Sequence, residues 1–382
     1  MLKKLLSPSF IFVVIQAGVG ALHYVYQLLA RQILSLEDFG AWSVWFAQFA
    51  LTLLVATWVQ ALATLDGPAQ PLFRRLFRPR LAIPILLLTV ALAGFAQSMQ
   101  AWVGVTAIGW FWACLQGIVF GRALARGRLI LISVVLAVAA VVKLGIPAVM
   151  WWIGAPPEQL RDAVYAGVVW GVPAGLWIAF LVDREDADAK HVASPIRKEV
   201  FATSLLLAIV TAAAPQFDLL AAGHLLGPED LGRFGSVALV YKAFFFLILI
   251  FAQLLISKQV QAGGGRTQPA RFLPVVGVGA LIALGAWFFF PARIAPAHWV
   301  ALGVLHISTL TFLFLVTQTE VSRGEWKLAA SVVGLWSAQF ALAWALTPSL
   351  ENFYLGVLVT DALLMGGLFL RPKLTRGVRP GF

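Results

Sequence analysis

The sequence predicts an all-α integral membrane protein with twelve transmembrane helices. Of its 382 residues, 61% are hydrophobic and only 12% are charged, a balance that a soluble core with a polar surface does not have. Apolar runs long enough to cross a bilayer recur along the whole chain. The basic residues concentrate in alternate connections between these runs, as expected of a multi-pass protein.

The spans follow from the length of the apolar runs, at about 20 residues for each crossing. The predicted helices cover residues 10–30, 40–64, 81–98, 101–121, 129–153, 163–182, 200–222, 233–256, 272–290, 297–318, 328–347 and 353–370. The first of them resembles a signal peptide because it follows two lysines. It is long enough to span and lacks a convincing small-residue cleavage site, so we predict that it is retained.

The loop charges set the topology. With the N-terminus in the cytoplasm, 22 of the 28 lysines and arginines fall on the cytoplasmic side. The others are Arg31, Arg161, Arg233 and Arg293 on the external side, with Lys143 and Lys242 inside spans. Because one missed helix would scramble every later loop, this bias supports the span count and places both termini in the cytoplasm. The net charge of +11 is thereby explained without a nucleic-acid partner.

A short stretch of the sequence occurs twice. Residues 33–40 read Ile-Leu-Ser-Leu-Glu-Asp-Phe-Gly, and 192 positions later residues 225–232 read Leu-Leu-Gly-Pro-Glu-Asp-Leu-Gly. Each copy joins two apolar segments, so each has the character of a helical hairpin tip. Ser35 and Gly227 suit the N-cap, and the acidic pair lies in the first turn, where carboxylates favour the positive end of a helix. We expect Glu37, Asp38, Glu229 and Asp230 to serve capping and not ligand binding.

The repeat predicts a duplicated architecture. Its offset is about half the chain and covers six spans, an even number, so both halves enter the membrane in the same direction. The halves are then two six-helix bundles related by a pseudo-twofold axis along the membrane normal, facing each other across a central cavity. The predicted domains are residues 1–182, a cytoplasmic linker at 183–199, and residues 200–382 with a basic cytoplasmic tail.

Four ionisable residues lie inside predicted spans: Lys143, Asp218, Lys242 and Asp361. Each costs about 2.5–3.5 kcal/mol at the centre of a membrane helix, so each should face a partner or water and not lipid. Counted from the external helix ends, Lys143, Lys242 and Asp361 lie roughly 12–14 Å deep, and Asp218 lies about 6 Å deep. The first three share a depth near the midplane, the level expected for the substrate site of a two-bundle transporter.

Two interpretations of these charges remain open. In the first, Asp218 pairs with Lys242 as a structural salt bridge between adjacent helices. In the second, Lys143 and Lys242 bind an anionic head group while Asp361 or Asp218 carries a coupling proton. Arg31, at the end of the first span, either reaches into an outward-open cavity or anchors its helix at the membrane interface.

The sequence contains no motif for catalysis or for a resident metal. Cys114 is the single cysteine, and the histidines and carboxylates have no metal-ligand spacing. We therefore predict that the protein is not an enzyme and uses no cofactor or metal. His23 and His306 are expected to be hydrogen-bonded packing residues. Pro215, three residues before Asp218, makes the seventh span the best candidate for a bend.

Two stretches carry a family resemblance. Residues 29–43, Leu-Ala-Arg-Gln-Ile-Leu-Ser-Leu-Glu-Asp-Phe-Gly-Ala-Trp-Ser, resemble the opening of the O-antigen type of bacterial polysaccharide-biosynthesis flippase. Residues 218–220 and 225–235 resemble the start of the second half of these proteins. Such flippases belong to the multidrug/oligosaccharidyl-lipid/polysaccharide (MOP) exporter superfamily, and their six-plus-six arrangement of spans matches nearly the whole chain.

The resemblance implies a flippase that moves an undecaprenyl-diphosphate-linked oligosaccharide to the periplasmic leaflet of the bacterial inner membrane by alternating access. Its partners would be the lipid-linked glycan, the membrane lipids and other glycan-assembly proteins. Two alternatives stay open. One is a proton- or sodium-coupled small-molecule exporter of the same superfamily, and the other is a non-transporting membrane scaffold of a glycan-assembly complex.

Overall fold

A computed structural model gives the fold of the chain. It describes residues 8–65, 102–125, 128–182, 214–242, 272–291, 295–321 and 349–370, together with scattered positions at 205–209 and 330–345. Within these ranges every regular element is a helix. The predicted spans 81–98 and most of 328–347, and the predicted linker at 183–199, fall outside the described residues.

The helices are numbered here in chain order. They are α1 (Pro8–Ile33), α2 (Leu36–Ala50), α3 (Thr52–Leu65), α4 (Trp102–Ala125), α5 (Leu129–Trp152), α6 (Pro157–Val182), α7 (Phe217–Leu225), α8 (residues 228–242), α9 (Leu273–Phe289), α10 (Ala297–Val321) and α11 (Leu350–Leu370). A 3₁₀ turn at Ala214–Gln216 precedes α7, at the proline where the sequence predicts a bend.

The apolar helices confirm a multi-pass membrane protein. Within the described ranges, four helical segments are long and apolar enough to cross a bilayer, namely Leu36–Gln60, Leu129–Trp152, Pro157–Ala179 and Ala297–Thr317. Helices α1, α5, α9, α10 and α11 begin and end within a few residues of their predicted spans. The count of twelve, the symmetry of two bundles and the cytoplasmic position of the termini stay predictions.

The contacts group the chain into two compact units, residues 1–253 and 254–382. The first unit contains α1 to α8, and the second contains α9 to α11. The boundary that the sequence predicts, at residues 183–199, remains a prediction because that segment is not described.

A stripe of glycines brings α6 against α5. Gly167, Gly171 and Gly175 recur every four residues and face the backbone of α5. A Cβ atom at Gly171 would lie 2.8 Å from the carbonyl oxygen of Ala139, and one at Gly167 would overlap the carbonyl oxygen of Lys143. Small residues at this spacing let two membrane helices approach to backbone contact. The stripe thereby fixes the position of the α5 backbone at Lys143.

The repeated stretches form the predicted hairpin tips. At the first tip, Ser35 is the N-cap of α2, and its Oγ accepts a hydrogen bond from the backbone N–H of Asp38 at 3.1 Å. At the second tip, Arg233 donates to Glu229 at 2.6 Å, one turn apart on the exposed side of α8. The N-cap predicted at Ser35 is confirmed, and Glu37 and Asp38 lie in the first turn of α2, where the sequence places them. Their capping role stays a prediction.

Candidate functional site

Lys143 lies buried within the first unit, with 7% of its surface exposed. Its Nζ is 4.4 Å from the ring centroid of Tyr26 on α1 and 4.4 Å from that of Phe46 on α2. Among the described residues it has no carboxylate partner. Aromatic faces attract a cation, although a desolvated ammonium ordinarily pairs with an anion. The site is therefore a buried cation held by rings.

His23 lies on α1 in the same unit. Its Nδ1 is buried and has no hydrogen-bond partner among the described residues. The sequence-based expectation of a hydrogen-bonded packing histidine is therefore not met at this nitrogen. Within the described part of the first unit, the Nδ1 of His23 and the ammonium of Lys143 are thus two buried nitrogens without a hydrogen-bonding or carboxylate partner.

Asp218 and Lys242 form a buried ion pair between α7 and the last turn of α8. Lys242 Nζ lies 2.8 Å from Asp218 Oδ1, and Asp218 is 1% exposed. The backbone N–H of Leu219 donates to Oδ1 at 2.7 Å, and the hydroxyl of Tyr241 donates to Oδ2. The first interpretation from the sequence, a salt bridge between adjacent helices, therefore describes the geometry of this pair.

Arg31 lies at the C-terminal end of α1 and bonds to the second copy of the repeat. Its Nε donates to Ser236 Oγ on α8 at 2.9 Å, and its guanidinium carbon lies 5.7 Å from the ring centroid of Phe39. Ser236 in turn donates to the carbonyl oxygen of Gly232 at 2.9 Å. Arg31 thus links α1 to α8. Neither of the two roles predicted for Arg31 included this link.

Asp361 is fully buried on α11 in the second unit, at 0% exposure. Its Oδ2 lies 2.6 Å from the hydroxyl of Thr309 on α10 and 3.9 Å from Nδ1 of His306. Its Oδ1 has no hydrogen-bond partner among the described residues. In the part of the chain that is described, no lysine or arginine pairs with this carboxylate.

The hydroxyl of Thr309 has two acceptors and one hydrogen. Besides Asp361 Oδ2 at 2.6 Å, it lies 2.9 Å from the carbonyl oxygen of His306. If the hydrogen points to the carbonyl, then the short contact with Asp361 requires a proton on the carboxyl group. The arrangement is consistent with a carboxyl group that can hold and release a proton.

A polar cluster at the start of α11 was not anticipated from the sequence. Trp299 Nε1 donates to Glu351 Oε1 at 2.7 Å, and His298 Nε2 lies 3.1 Å from the same oxygen. Burial raises the pKa of Glu351, but the hydrogen bonds from Trp299, its own backbone N–H, His298 and Ser349 outweigh it and bring the pKa to about 2. This cluster joins α10 to α11 within the second unit.

The predicted site residues thus fall into separate environments. Lys143, Arg31 and the Asp218–Lys242 pair belong to the first unit, and Asp361 belongs to the second. The structure brings Asp218 and Lys242 together and gives each of the others a different set of neighbours. The neighbours of Lys143, Arg31 and Asp361 are set by tertiary packing, and no spacing in the sequence indicates them. They are Tyr26, Phe46, Ser236 and Thr309.

Comparisons with known proteins identify the fold. No protein-family model matches the sequence, and no curated protein matches it. The chain is similar to the crystal structure of a MATE transporter in complex with Br-NRF, at 16% identity and a TM-score of 0.51 over 95% of this chain and 94% of that one.

Two further solved structures are similar at lower scores. One is an outward-facing multidrug resistance MATE family transporter of the MOP superfamily, with 15% identity and a TM-score of 0.49 over 95% of this chain and 94% of that one. The other is a mutant of the Vibrio cholerae MATE transporter VcmN, with 13% identity and a TM-score of 0.43 over 96% and 95%. The chain is an all-helical membrane protein whose fold matches that of MATE transporters.

Proposed function

We propose that this protein is a MOP-type transporter that moves a lipid-linked oligosaccharide with an anionic diphosphate across the bacterial inner membrane by alternating access. The observation that carries the proposal is the buried ammonium of Lys143, which has no carboxylate partner among the described residues. A charge inside a membrane protein that has no structural partner is expected to serve a substrate or an ion pathway. An anionic group suits this site, whereas a cationic drug would be repelled by it.

The environments of the two aspartates support different roles for them. Asp218 is held by Lys242, Tyr241 and the N–H of Leu219, so its charge is already compensated. Asp361 has an oxygen without a hydrogen-bond partner in the described part of the chain, and its contact with Thr309 accommodates a proton. We therefore assign the coupling step to Asp361, and we assign Lys242 to the structural ion pair. Lys143 remains the candidate for the anionic head group.

A small-molecule exporter is the second candidate. The buried carboxyl group of Asp361 favours it, because a carboxylate in an apolar site attracts a cationic drug. The fold, which is that of MATE transporters, fits this candidate as well as the first. The two candidate functions place the substrate in different units. A flippase would bind it at Lys143 in the first unit, and an exporter would bind it at Asp361 in the second unit.

Glycan export in cells tests the proposal. Lys143→Met removes the ammonium and keeps an apolar side chain of similar length, so we expect export to fall severely at a normal amount of protein in the membrane. The matched control is Arg233→Ala, which removes a cation from the exposed pair with Glu229 and should leave export unchanged. Unchanged export in Lys143→Met contradicts the proposal, and protein-dependent resistance to cationic dyes favours the exporter.

A further inference from the structure

The end of α9 and the starts of α10 and α11 meet in the second unit, on the side that the predicted topology places outside. The ring centroid of Trp287 lies 6.3 Å from that of His298, and Nε2 of His298 lies 3.1 Å from Oε1 of Glu351. The indole N–H of Trp299 donates to the same oxygen at 2.7 Å. These four residues are called the Glu351 cluster below.

The Glu351 cluster has a buried base and an exposed surface. Trp299 is 5% exposed, and its indole N–H is directed at Glu351. Trp287 is 53% exposed, and the side chains of His298 and Glu351 are 38% and 39% exposed. The surface therefore presents an indole ring, an imidazole and a carboxylate, each beside the next, and Trp299 supports them from below.

The carboxylate of Glu351 is held in place and stays ionised. The hydrogen bonds that it accepts bring its pKa to about 2, so it remains a hydrogen-bond acceptor at neutral pH. A carboxylate has two oxygens and can accept several hydrogen bonds at once. Asn352, the next residue, is exposed and adds an amide that both donates and accepts.

We propose that the Glu351 cluster is a carbohydrate-binding subsite that holds one pyranose ring at the external face of the protein. A pyranose has an apolar face of C–H groups, which packs on the negative face of an indole, and hydroxyl groups at its edge, which bond to carboxylates and amides. A small-ligand site combines an aromatic surface with a few polar groups in this way. That the sugar belongs to a transported glycan rests on the proposed function.

Two other roles for these side chains fit the geometry less well. A tryptophan at the end of a membrane helix commonly anchors that helix at the interface, but an anchor does not need a fixed carboxylate beside it. A quaternary ammonium group binds in a cage of several aromatic faces. Of the two indoles in the Glu351 cluster, only Trp287 is exposed, because Trp299 is buried. One open ring with hydrogen-bonding groups at its edge suits a sugar.

Ligand-observed NMR of the purified protein in nanodiscs tests the subsite. The probes are the free methyl pyranosides of glucose, galactose, mannose, rhamnose and N-acetylglucosamine, which carry neither lipid nor diphosphate. We expect saturation transfer to at least one probe, strongest at the C–H protons of one face. Trp287→Leu and Glu351→Gln should each weaken this binding about tenfold, as the loss of one stacked ring or one charge-assisted hydrogen bond predicts.

Two further variants separate sugar binding from membrane anchoring. Trp152→Leu is the matched control, because Trp152 is 86% exposed at the end of α5 in the first unit and is also predicted to lie at the external interface. It should leave binding unchanged. Trp287→Phe keeps an aromatic face and should retain most of the binding. Equal losses in Trp152→Leu and Trp287→Leu would overturn the subsite.

The remaining outcomes decide the subsite separately from transport. Absence of saturation transfer to every probe overturns the subsite, as does equal binding by the native protein and Trp287→Leu. Binding of phosphocholine at Trp287 in place of the sugars also overturns it, since the cluster would then be a cation site. Because the probes lack a diphosphate, sugar binding together with normal glycan export by Lys143→Met would retain the subsite and refute the proposed role of Lys143.

Discussion

Asp218 Oδ1 and Lys242 Nζ lie 2.8 Å apart in the interior of the first unit, and the remaining oxygen of Asp218 accepts a hydrogen bond from Tyr241. A buried pair with this many partners is strongly coupled: removing one member leaves the other charged and without compensation, whereas removing both leaves no stranded charge. The pair therefore predicts a distinctive pattern in a double-mutant cycle.

We expect Lys242→Met alone to destabilise the protein by about 3–5 kcal/mol, since it strands the carboxylate of Asp218. The double variant Asp218→Leu with Lys242→Met should recover most of that loss. Thermal unfolding of the purified protein in detergent, monitored through the loss of its monodisperse peak, measures the stability of both variants. A double variant at least as unstable as the sum of the two single variants would contradict this account of the pair.

Asp361 is expected to be required for coupled transport and not for folding. Asp361→Asn keeps the shape of the side chain and a hydrogen bond to Thr309, but it cannot release a proton. We predict normal abundance and loss of the response to an imposed proton gradient. Thr309→Ser retains the hydroxyl and should transport normally. Gradient-driven transport that persists in Asp361→Asn would assign coupling to another group.

Glu351 gives the second unit a pH dependence at the acid end. Its pKa of about 2 lies below the ordinary value of about 4.3, so its bonds contribute fully above pH 4.3 and are lost as the pH falls towards 2. The difference in melting temperature between the native protein and Glu351→Gln should therefore be constant from pH 7 to about 5, decrease below about pH 4 and be lost near pH 2. A difference that disappears between pH 7 and 5 would refute this.

The glycine stripe on α6 predicts that glycine-to-alanine substitutions on α6 and on α5 have different effects on the stability of the protein. Gly171→Ala places a Cβ atom 2.8 Å from the carbonyl oxygen of Ala139 and should destabilise the α5–α6 contact by about 1–3 kcal/mol. Gly145→Ala on α5 meets nothing within 4 Å and should be neutral or stabilising by up to about 1 kcal/mol. Melting temperatures of the two variants test this, and equal shifts would argue against close helix packing at Gly171.

The sequence predicts the helices of this protein better than their contacts. Apolar length alone places α5, α9 and α10 to within a few residues, because the bilayer thickness fixes the length of a span. The cost of a buried charge likewise identifies Lys143 and Asp361 as residues that need an explanation. Their neighbours, two aromatic rings and a threonine hydroxyl, come from distant helices, and packing decides them.

The repeat illustrates the same limit. Its spacing predicts a duplication and its serine predicts an N-cap, since both depend on local sequence. The contact of Gly40 with Gly232 depends on how the two copies approach, which local sequence does not encode. The sequence does not single out the Glu351 cluster, because polar residues are common at the end of a membrane helix. Its bonds to Trp299 and His298 arise from the packing of α11 on α10.

Reconstitution into liposomes tests the proposed transport most directly. Purified protein would be given a short lipid-diphosphate-linked oligosaccharide, and its movement between leaflets would be followed by accessibility to an external glycosidase. We predict that the native protein and Arg233→Ala move this lipid, and that Lys143→Met does not. Equal movement by Lys143→Met, or transport of a cationic dye in place of the glycolipid, would contradict the proposed role of Lys143 and the proposed substrate.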